Sequence, residues 1–204
     1  MYSEKRIDST PLILGLTGGI GCGKSTVSKI FYALGSKCYN SDIEAKNILN
    51  FDTETVSEIK KTFGKDFYNS TGFNTKKMSE LVFSDKSALE KLNSIVHPRV
   101  KLHFEKWVEW NKNEKLLIKE AAILIESGAY KGVDKIAVVT APEELRIKRI
   151  ISRDSLSKQE VEKRIKSQLS DEERLKYADF IISNNEKDLV IPQVLNIFNK
   201  LSIP

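Results

Sequence analysis

The hydrophobic pattern near the start of the chain changes from a continuous run to a helical spacing, and a cluster of glycines marks the change. Residues 12–16 form an apolar run, which is typical of a strand buried on both faces of a parallel sheet. Apolar residues at 27, 30, 31 and 34 follow the spacing of an amphipathic helix, which Gly35 ends. Five of the ten glycines lie in residues 15–23. The pattern predicts a strand, a glycine loop and a helix, in that order.

Four further short segments predict the remaining strands of the same sheet. They cover residues 37–39, 116–118, 136–139 and 180–182. Helical stretches lie between most of these segments, and parallel strands need such crossover connections. We therefore predict an α/β fold, in which helices flank both faces of a parallel sheet.

Residues 42–111 show helical patterns and no strand pattern, so we interpret this segment as a helical insertion. Apolar residues recur at helical spacing at 56, 59 and 63, at 89, 92 and 96, and at 100, 104, 107 and 108. The pair His97 and Pro98 is typical of a helix start, with the proline at the first helical position. His97 could instead contact a substrate.

The S-x-x-E spacing of a helix capping box occurs at three places. The pairs are Ser41 with Glu44, Ser157 with Glu160, and Ser170 with Glu173. The first pair predicts that Asp42 begins a helix. The other two predict two short helices in the polar residues 154–177, which we interpret as a lid.

Composition and charge narrow the class of protein. The chain has 204 residues, of which 40% are hydrophobic and 30% charged, as in a soluble globular protein. Its apolar stretches are too short to span a membrane, and its first ten residues do not resemble a signal peptide. Two cysteines are too few for a disulfide framework, so we expect a cytoplasmic protein. The net charge of +5 favours phosphorylated ligands, but no nucleic-acid-binding motif is present.

Residues 18–25, GGIGCGKS, match the phosphate-binding pattern G-x-x-x-x-G-K-[ST]. Glycines let consecutive backbone N–H groups turn toward an anion, and the following helix directs its positive end at the same anion. Lys24 would neutralise the β and γ phosphates, and Ser25 would ligate Mg²⁺. The alternative is a glycine turn that only connects two elements. Cys22 is interpreted as a small residue that donates its N–H, although a thiol at a helix start could also act as a redox switch.

Two classes of phosphate-binding-loop protein are disfavoured by missing elements. A GTP-dependent switch needs an N-K-x-D element, and a motor ATPase needs a strand that ends in Asp-Glu; neither occurs in the sequence.

Asp42 follows the second predicted strand, which we expect beside the first, and ligands of open α/β sheets bind at such strand ends. Its carboxylate could accept a proton from an acceptor hydroxyl or align that hydroxyl. Alternatively, Asp42 only complements a helix dipole.

Arg146, Arg149 and Arg153 have the spacing i, i+3, i+7 and are expected on one face of a helix that begins near Pro142. Guanidinium groups in such a stripe repel one another unless an anion joins them, and arginine suits polyphosphate. We expect this stripe to move with lid closure, which excludes water. The alternative is a solvated face whose arginines pair with neighbouring acidic residues.

Residues 13–26, ILGLTGGIGCGKST, resemble the opening of the dephospho-coenzyme A kinase family, and this element is more specific than a bare phosphate-binding loop. Further similarities run along almost the whole chain. They are Asp42, NSIVHP at 93–98, ILIE at 123–126, Arg149, Arg153 with Asp154, residues 168–174, Ala178 with Asp179, and Asn184 with Asn185.

The resemblance implies a P-loop kinase fold with a five-stranded parallel sheet, a helical substrate domain and a lid. It implies transfer of the γ-phosphoryl group of ATP to the 3′-hydroxyl of dephospho-coenzyme A, with Mg²⁺. The residues expected in catalysis are Asp42, Lys24 and Arg149. Those expected to bind ATP are Gly19, Gly21, Cys22, Gly23, Lys24, Ser25, Thr26 and Arg153, with Ser25 also on the metal.

Two positions depart from the family pattern. Asn40 stands where many members have the first aspartate of a D-x-D element, so only Asp42 would inherit the acid–base or orienting role. Ala122 stands where many members have proline, which changes the local turn and removes no charge.

We expect a nucleotide-binding core formed by residues 11–41, 115–153 and 178–204, a substrate domain at 42–114 and a lid at 154–177. A monomer is favoured. The alternatives are another P-loop kinase, acting on a nucleoside or nucleotide, and a nucleotide-dependent regulatory protein without an acceptor substrate.

Overall fold

The computed structural model describes residues 10–202 in two compact units. The prediction made for the start of the chain falls on residues 1–9, which lie outside the described residues. The strands are β1 (Leu12–Thr17), β2 (Lys37–Asn40), β3 (Tyr68–Asn69), β4 (Gly72–Phe73), β5 (Leu116–Glu120), β6 (Lys135–Thr140) and β7 (Phe180–Ser183). The helices are α1 (Lys24–Ala33), α2 (Ser41–Phe51), α3 (Thr53–Phe63), α4 (Thr75–Ser84), α5 (Lys86–Trp110), α6 (Glu143–Asp154), α7 (Lys158–Lys166), α8 (Asp171–Leu175) and α9 (Val190–Ser202).

The first unit comprises the described residues up to Asn40 and from Val108 onward, and it contains a five-stranded sheet. The strand order is β2-β5-β1-β6-β7, and every neighbouring pair is parallel. The predicted α/β fold with a parallel sheet is confirmed. The expectation that β2 lies beside β1 is wrong, because β5 is inserted between them.

Both faces of this sheet are covered, as the continuous apolar runs predict. Successive residues of β6 point to opposite faces. Val139 joins a core cluster with Phe31 of α1 and Val194 of α9. Val138 packs instead with Leu124, in a second cluster. Burial on both faces fixes the register of the central strands. It therefore also fixes which residues lie at the carboxyl end of each strand, beside those of its neighbours.

The second unit comprises Ser41–Trp107 and contains α2, α3, α4 and most of α5 around a core of its own. The buried residues of this core are Ile59, Phe67, Met78 and Ile95. The unit also contains an antiparallel hairpin of β3 and β4, so the expectation of no strand between 42 and 111 is wrong.

The hairpin could not be predicted from hydrophobic periodicity, because each of its strands has only two residues. Local turn chemistry forms it. Asn69 accepts hydrogen bonds from the N–H and the hydroxyl of Thr71, and Gly72 supplies a backbone φ of +110°. The rings of Tyr68 and Phe73 then pack across the pair, with centroids 5.4 Å apart.

Pro98 lies inside α5 and does not begin a helix, which corrects the sequence prediction. Its ring removes one N–H donor from the helical ladder, so the carbonyl of Ser94 loses its usual partner. Apolar residues both before and after the proline are buried, among them Ile95 and Phe104, and this packing keeps the helix continuous.

Two of the three capping-box predictions are confirmed, and the third is wrong. Ser157 with Glu160 and Ser170 with Glu173 form reciprocal capping boxes at the starts of α7 and α8, as predicted. Ser41 does not cap α2, because it lies within the helix and its buried hydroxyl finds no hydrogen-bond partner among residues 10–202. Helix α2 follows β2 directly, which leaves no residue between them to act as a separate cap.

Candidate active site at the phosphate-binding loop

The glycine loop of residues 18–23 connects β1 to α1, as the sequence predicts. Gly23 is the N-cap of α1 with φ +96°, and no side chain in the described part of the chain caps this helix start. None of the hydrogen bonds found within residues 10–202 uses the N–H groups of Gly21, Gly23 or Ser25. Such N–H groups at a helix start form a binding site for an anion.

Lys24 is the first residue of α1, and its side chain folds back along the loop. Its Nζ donates to the carbonyl oxygen of Gly18 over 2.9 Å. Lys24 is half-buried, and this hydrogen bond holds its positive charge beside the same N–H groups. The two features together favour a ligand with several negative charges.

Ser25 is held by a carboxylate that the sequence analysis did not select. The Ser25 hydroxyl donates to Glu120 Oε1 over 2.8 Å. Glu120 is the last residue of β5, pairs in register with Leu16 and Asn40, and is only 4% exposed. Two oxygen ligands of the kind that Mg²⁺ prefers thus lie together at the carboxyl edge of the sheet.

Arg149 reaches the loop from α6. Its Nη1 lies 3.5 Å from the carbonyl oxygen of Gly21, and its Nη2 donates to the carbonyl oxygen of Asn184 over 3.2 Å. Glu186 lies 3.6 Å away and balances the charge. This arginine, which the sequence analysis placed in catalysis, therefore lies where it could contact an anion bound in the loop.

Asn184 follows β7 and also holds the loop. Its side-chain amide donates to the carbonyl oxygen of Cys22 over 2.8 Å. A Cβ atom at Gly23 would lie 2.2 Å from this amide nitrogen, so only glycine permits the contact. The resemblance included Asn184, but no spacing rule connected it with the loop 162 residues earlier.

Arg146 does not share the environment of Arg149 and Arg153, which corrects the expectation of a single stripe. Its side chain is 6% exposed, and it pairs with Asp171 at 3.1 Å. The spacing i, i+3, i+7 does place the three arginines on one side of α6, but Arg146 lies near the start of the helix, where it is buried beside Asp171, whereas Arg153 lies at the exposed end.

Arg153 lies at the exposed end of α6, where Asp154 holds it through two hydrogen bonds of 2.7 and 2.9 Å. The hydrogen bonds to Asp154 raise the pKa of the Arg153 guanidinium. Arg153 and Arg149 line a pocket of about 480 Å³, together with Leu145, Lys148, Ser152 and Glu186. The pocket therefore shares Arg149 with the glycine loop.

The other predicted loop residues differ in exposure. Cys22 is buried, and burial raises the pKa of its thiol, which disfavours the redox switch. Its N–H donates to the carbonyl oxygen of Gly19 over 3.2 Å. Gly19 packs against Arg146. Thr26 is exposed on α1.

Asp42 lies in the first turn of α2 in the second unit, and it is exposed. It follows the last residue of β2, Asn40, by two positions. The position agrees with either role considered for it, as a group that acts on a hydroxyl or as a complement to the helix dipole.

Comparison with known proteins gives a consistent result over nearly the whole chain. A family model described as dephospho-CoA kinase matches residues 12–189. The dephospho-CoA kinase of Fusobacterium nucleatum is 46% identical over 175 residues, which cover 85% of this chain and 90% of that protein.

Solved structures agree with this result. A dephospho-CoA kinase from Campylobacter jejuni aligns with a TM-score of 0.69 and 32% identity, over 93% of this chain and 96% of that one. A structure from Thermus thermophilus aligns with a TM-score of 0.84 and 28% identity, over 94% and 97% of the two chains. The chain belongs to the dephospho-CoA kinase family.

Proposed function

We propose that this protein transfers the γ-phosphoryl group of ATP to the 3′-hydroxyl of dephospho-CoA, giving CoA and ADP in the final step of coenzyme A biosynthesis. The observation that carries the proposal is the anion-binding loop, with Lys24 beside it, in a member of this kinase family. Membership of the family implies ATP as the co-substrate and dephospho-CoA as the acceptor.

The triphosphate of ATP would lie in the loop of residues 18–23. The N–H groups at the start of α1 would donate to phosphate oxygens, and Lys24 would exchange its bond to Gly18 for the β and γ phosphates. Arg149 would add charge where negative charge spreads during transfer. Because the 480 Å³ pocket shares Arg149 with this loop, we place the nucleoside part of ATP there.

Ser25 and Glu120 are suited to hold Mg²⁺ beside the triphosphate. Their oxygens lie 2.8 Å apart, and Mg²⁺ in kinases is bound by one or two protein oxygens together with phosphate oxygens. When bound, the ion would neutralise charge on the β and γ phosphates.

Asp42 is proposed as the residue that orients the acceptor hydroxyl and accepts its proton. A carboxylate does this in other phosphoryl-transfer enzymes, where it must be ionised and within hydrogen-bond reach of the hydroxyl. Asp42 follows the last residue of β2 by two positions, and residues that follow the strands of α/β sheets commonly contact ligands, which supports the role. Residues 154–177 would act as a lid that excludes water, so that ATP is not hydrolysed.

The cytoplasmic location and the monomeric state also remain proposals. Cys22 and Cys38 are both free thiols, which suits a reducing compartment. No helix in residues 10–202 is long and apolar enough to cross a membrane. Light scattering on the purified protein would measure its mass directly and test the monomer.

An acceptor panel with ADP release as the readout tests the proposed function. Dephospho-CoA, adenosine, nucleoside monophosphates and a reaction without acceptor would each be measured with the wild type and with Lys24→Ala. We expect turnover with dephospho-CoA only, and its loss in the variant. Turnover with a nucleoside or nucleotide alone would indicate a different P-loop kinase, and slow ADP release that no acceptor accelerates would indicate a regulatory nucleotide-binding protein.

A further inference from the structure

Both backbone polar groups of Ile20, at the tip of the phosphate-binding loop, are held by side chains from distant parts of the chain. The N–H of Ile20 donates to Gln168 Oε1 over 2.8 Å. The carbonyl oxygen of Ile20 accepts from Arg146 Nε over 2.9 Å. These two bonds fix the peptide units on either side of Ile20.

The bond from Arg146 also determines where the next N–H points. The peptide between Ile20 and Gly21 is planar and trans, so its C=O and N–H point in opposite directions. Because Arg146 holds the carbonyl, the N–H of Gly21 must point away from Arg146. That N–H is one of the loop donors without a partner in the described residues.

Arg146 is itself held in a chain of alternating charges. Asp171 accepts from Arg146 over 3.1 Å and from Arg174 over 2.9 Å. Arg174 is fully buried and also donates to Glu126 over 3.2 Å. Two buried arginines thus alternate with two partly exposed carboxylates, and removal of a carboxylate leaves an uncompensated charge on a buried arginine. These ion pairs hold the guanidinium group of Arg146 in one place.

Gly19 permits this close approach. A Cβ atom at Gly19 would lie 2.2 Å from Arg146 Nη2. At Gly21, a Cβ atom would lie 2.8 Å from the carbonyl oxygen of Arg146. The absence of side chains at these two glycines therefore lets the loop pack closely against α6, in addition to leaving room for a ligand.

We propose that Gln168 and Arg146 are positioning residues of the nucleotide site, which hold the Ile20 peptides so that the loop is set for the triphosphate before ATP binds. The inference rests on the proposed function, because it takes ATP as the ligand of the loop. Donors that are already oriented cost no reorganisation when the ligand arrives, which is a direct gain in affinity.

The test uses Gln168→Met, which keeps the side-chain length and removes the acceptor for the Ile20 N–H. A backbone hydrogen bond of this kind corresponds to a change of about two- to twelvefold in an equilibrium constant. We expect the Kd for ATP, measured by calorimetry, and the KM for ATP to rise by that factor. The value of kcat at saturating ATP and the KM for dephospho-CoA should stay unchanged, because bound ATP restores the loop.

Asn50→Leu is the matched control. Asn50 lies in the second unit. Like Gln168, it has an amide side chain that accepts a hydrogen bond from a backbone N–H, here that of Phe73 over 2.9 Å. The Asn50→Leu substitution should lower the melting temperature and leave the Kd for ATP at the wild-type value. Arg146→Lys provides a second variant, since lysine keeps a charge beside Asp171 but lacks the Nε–H donor, and it should weaken ATP binding as Gln168→Met does.

The possible failures are distinguishable. Wild-type ATP affinity in both Gln168→Met and Arg146→Lys would overturn the positioning role, while loss of ATP binding in Lys24→Ala would leave the proposed function intact. An equal loss of ATP affinity in Asn50→Leu would also overturn it, because the effect would then follow from general destabilisation. A wild-type protein that does not bind ATP would end both proposals.

Discussion

The hydroxyl of Ser25 donates to the carboxylate of Glu120 over 2.8 Å, although the two residues are 95 positions apart. The contact exists because β5, which ends at Glu120, lies directly beside β1, which leads into the loop. It brings two oxygen ligands to the place where the β and γ phosphates would lie.

The first prediction concerns this pair and Mg²⁺. Glu120→Gln should raise the Mg²⁺ concentration needed for half-maximal activity about tenfold or more, because a charged interaction is lost. Titration of activity with Mg²⁺ at fixed ATP measures this. Glu143→Gln, on the exposed start of α6, is the control and should not shift the titration; an unshifted titration for Glu120→Gln would remove Glu120 from the metal site.

The second prediction separates two arginines of α6. Arg149 lies against the loop, whereas Arg153 is exposed and held by Asp154. Arg149→Gln should lower kcat about 100- to 1,000-fold, because it removes a donor that stabilises charge in the transition state. Arg153→Gln should have a much smaller effect on kcat. Steady-state kinetics with both substrates varied would decide this, and equal losses would contradict the separate roles.

The third prediction concerns Asp42. Asp42→Asn should lower kcat about 10²- to 10⁴-fold, since the amide cannot accept the proton, and should leave the Kd for ATP nearly unchanged. Glu44→Gln is a matched control, because Glu44 lies in the same first turn of α2. Similar small effects of both substitutions would mean that Asp42 only complements the helix dipole.

The fourth prediction concerns stability and pH in the second unit. Asp52 caps α3, and hydrogen bonds from the side chain and the N–H of Thr55 lower the pKa of its carboxyl. A lowered pKa means that the ionised cap stabilises the fold above the unfolded pKa of about 3.9, and that this stability is lost as the pH falls through the folded value. Asp52→Ala should cost about 1 kcal/mol at pH 7.

Urea unfolding followed by circular dichroism checks this prediction. Asp52→Asn keeps the capping oxygen and should unfold close to the wild type at pH 7. The difference between wild type and Asp52→Ala should shrink below about pH 4. A difference that is independent of pH would show that ionisation of Asp52 is not involved.

Sequence patterns predicted the elements that depend on local or continuous signals. Strands of the sheet appear as apolar runs because both of their faces are buried. The loop at residues 18–23 appears because glycines and Lys24 are adjacent in sequence. Capping boxes at Ser157 and Ser170 were also correct, since they need only two residues three positions apart.

The patterns failed where a contact depends on topology. Glu120 was passed over because the order of the strands, with β5 next to β1, cannot be read from the sequence. Helical periodicity placed Arg146 on a helix but could not show that Asp171 would neutralise it, so its burial was missed. Gln168 likewise reaches Ile20 across 148 positions.

The most direct test follows the phosphoryl group itself. ATP labelled in its γ-phosphate is incubated with the protein and either dephospho-CoA or its 3′-deoxy analogue, which lacks the acceptor hydroxyl, and the labelled products are separated. We predict label in CoA with the first acceptor and in no CoA derivative with the second. Label found only in inorganic phosphate, or transferred equally to the 3′-deoxy analogue, would contradict transfer to the 3′-hydroxyl.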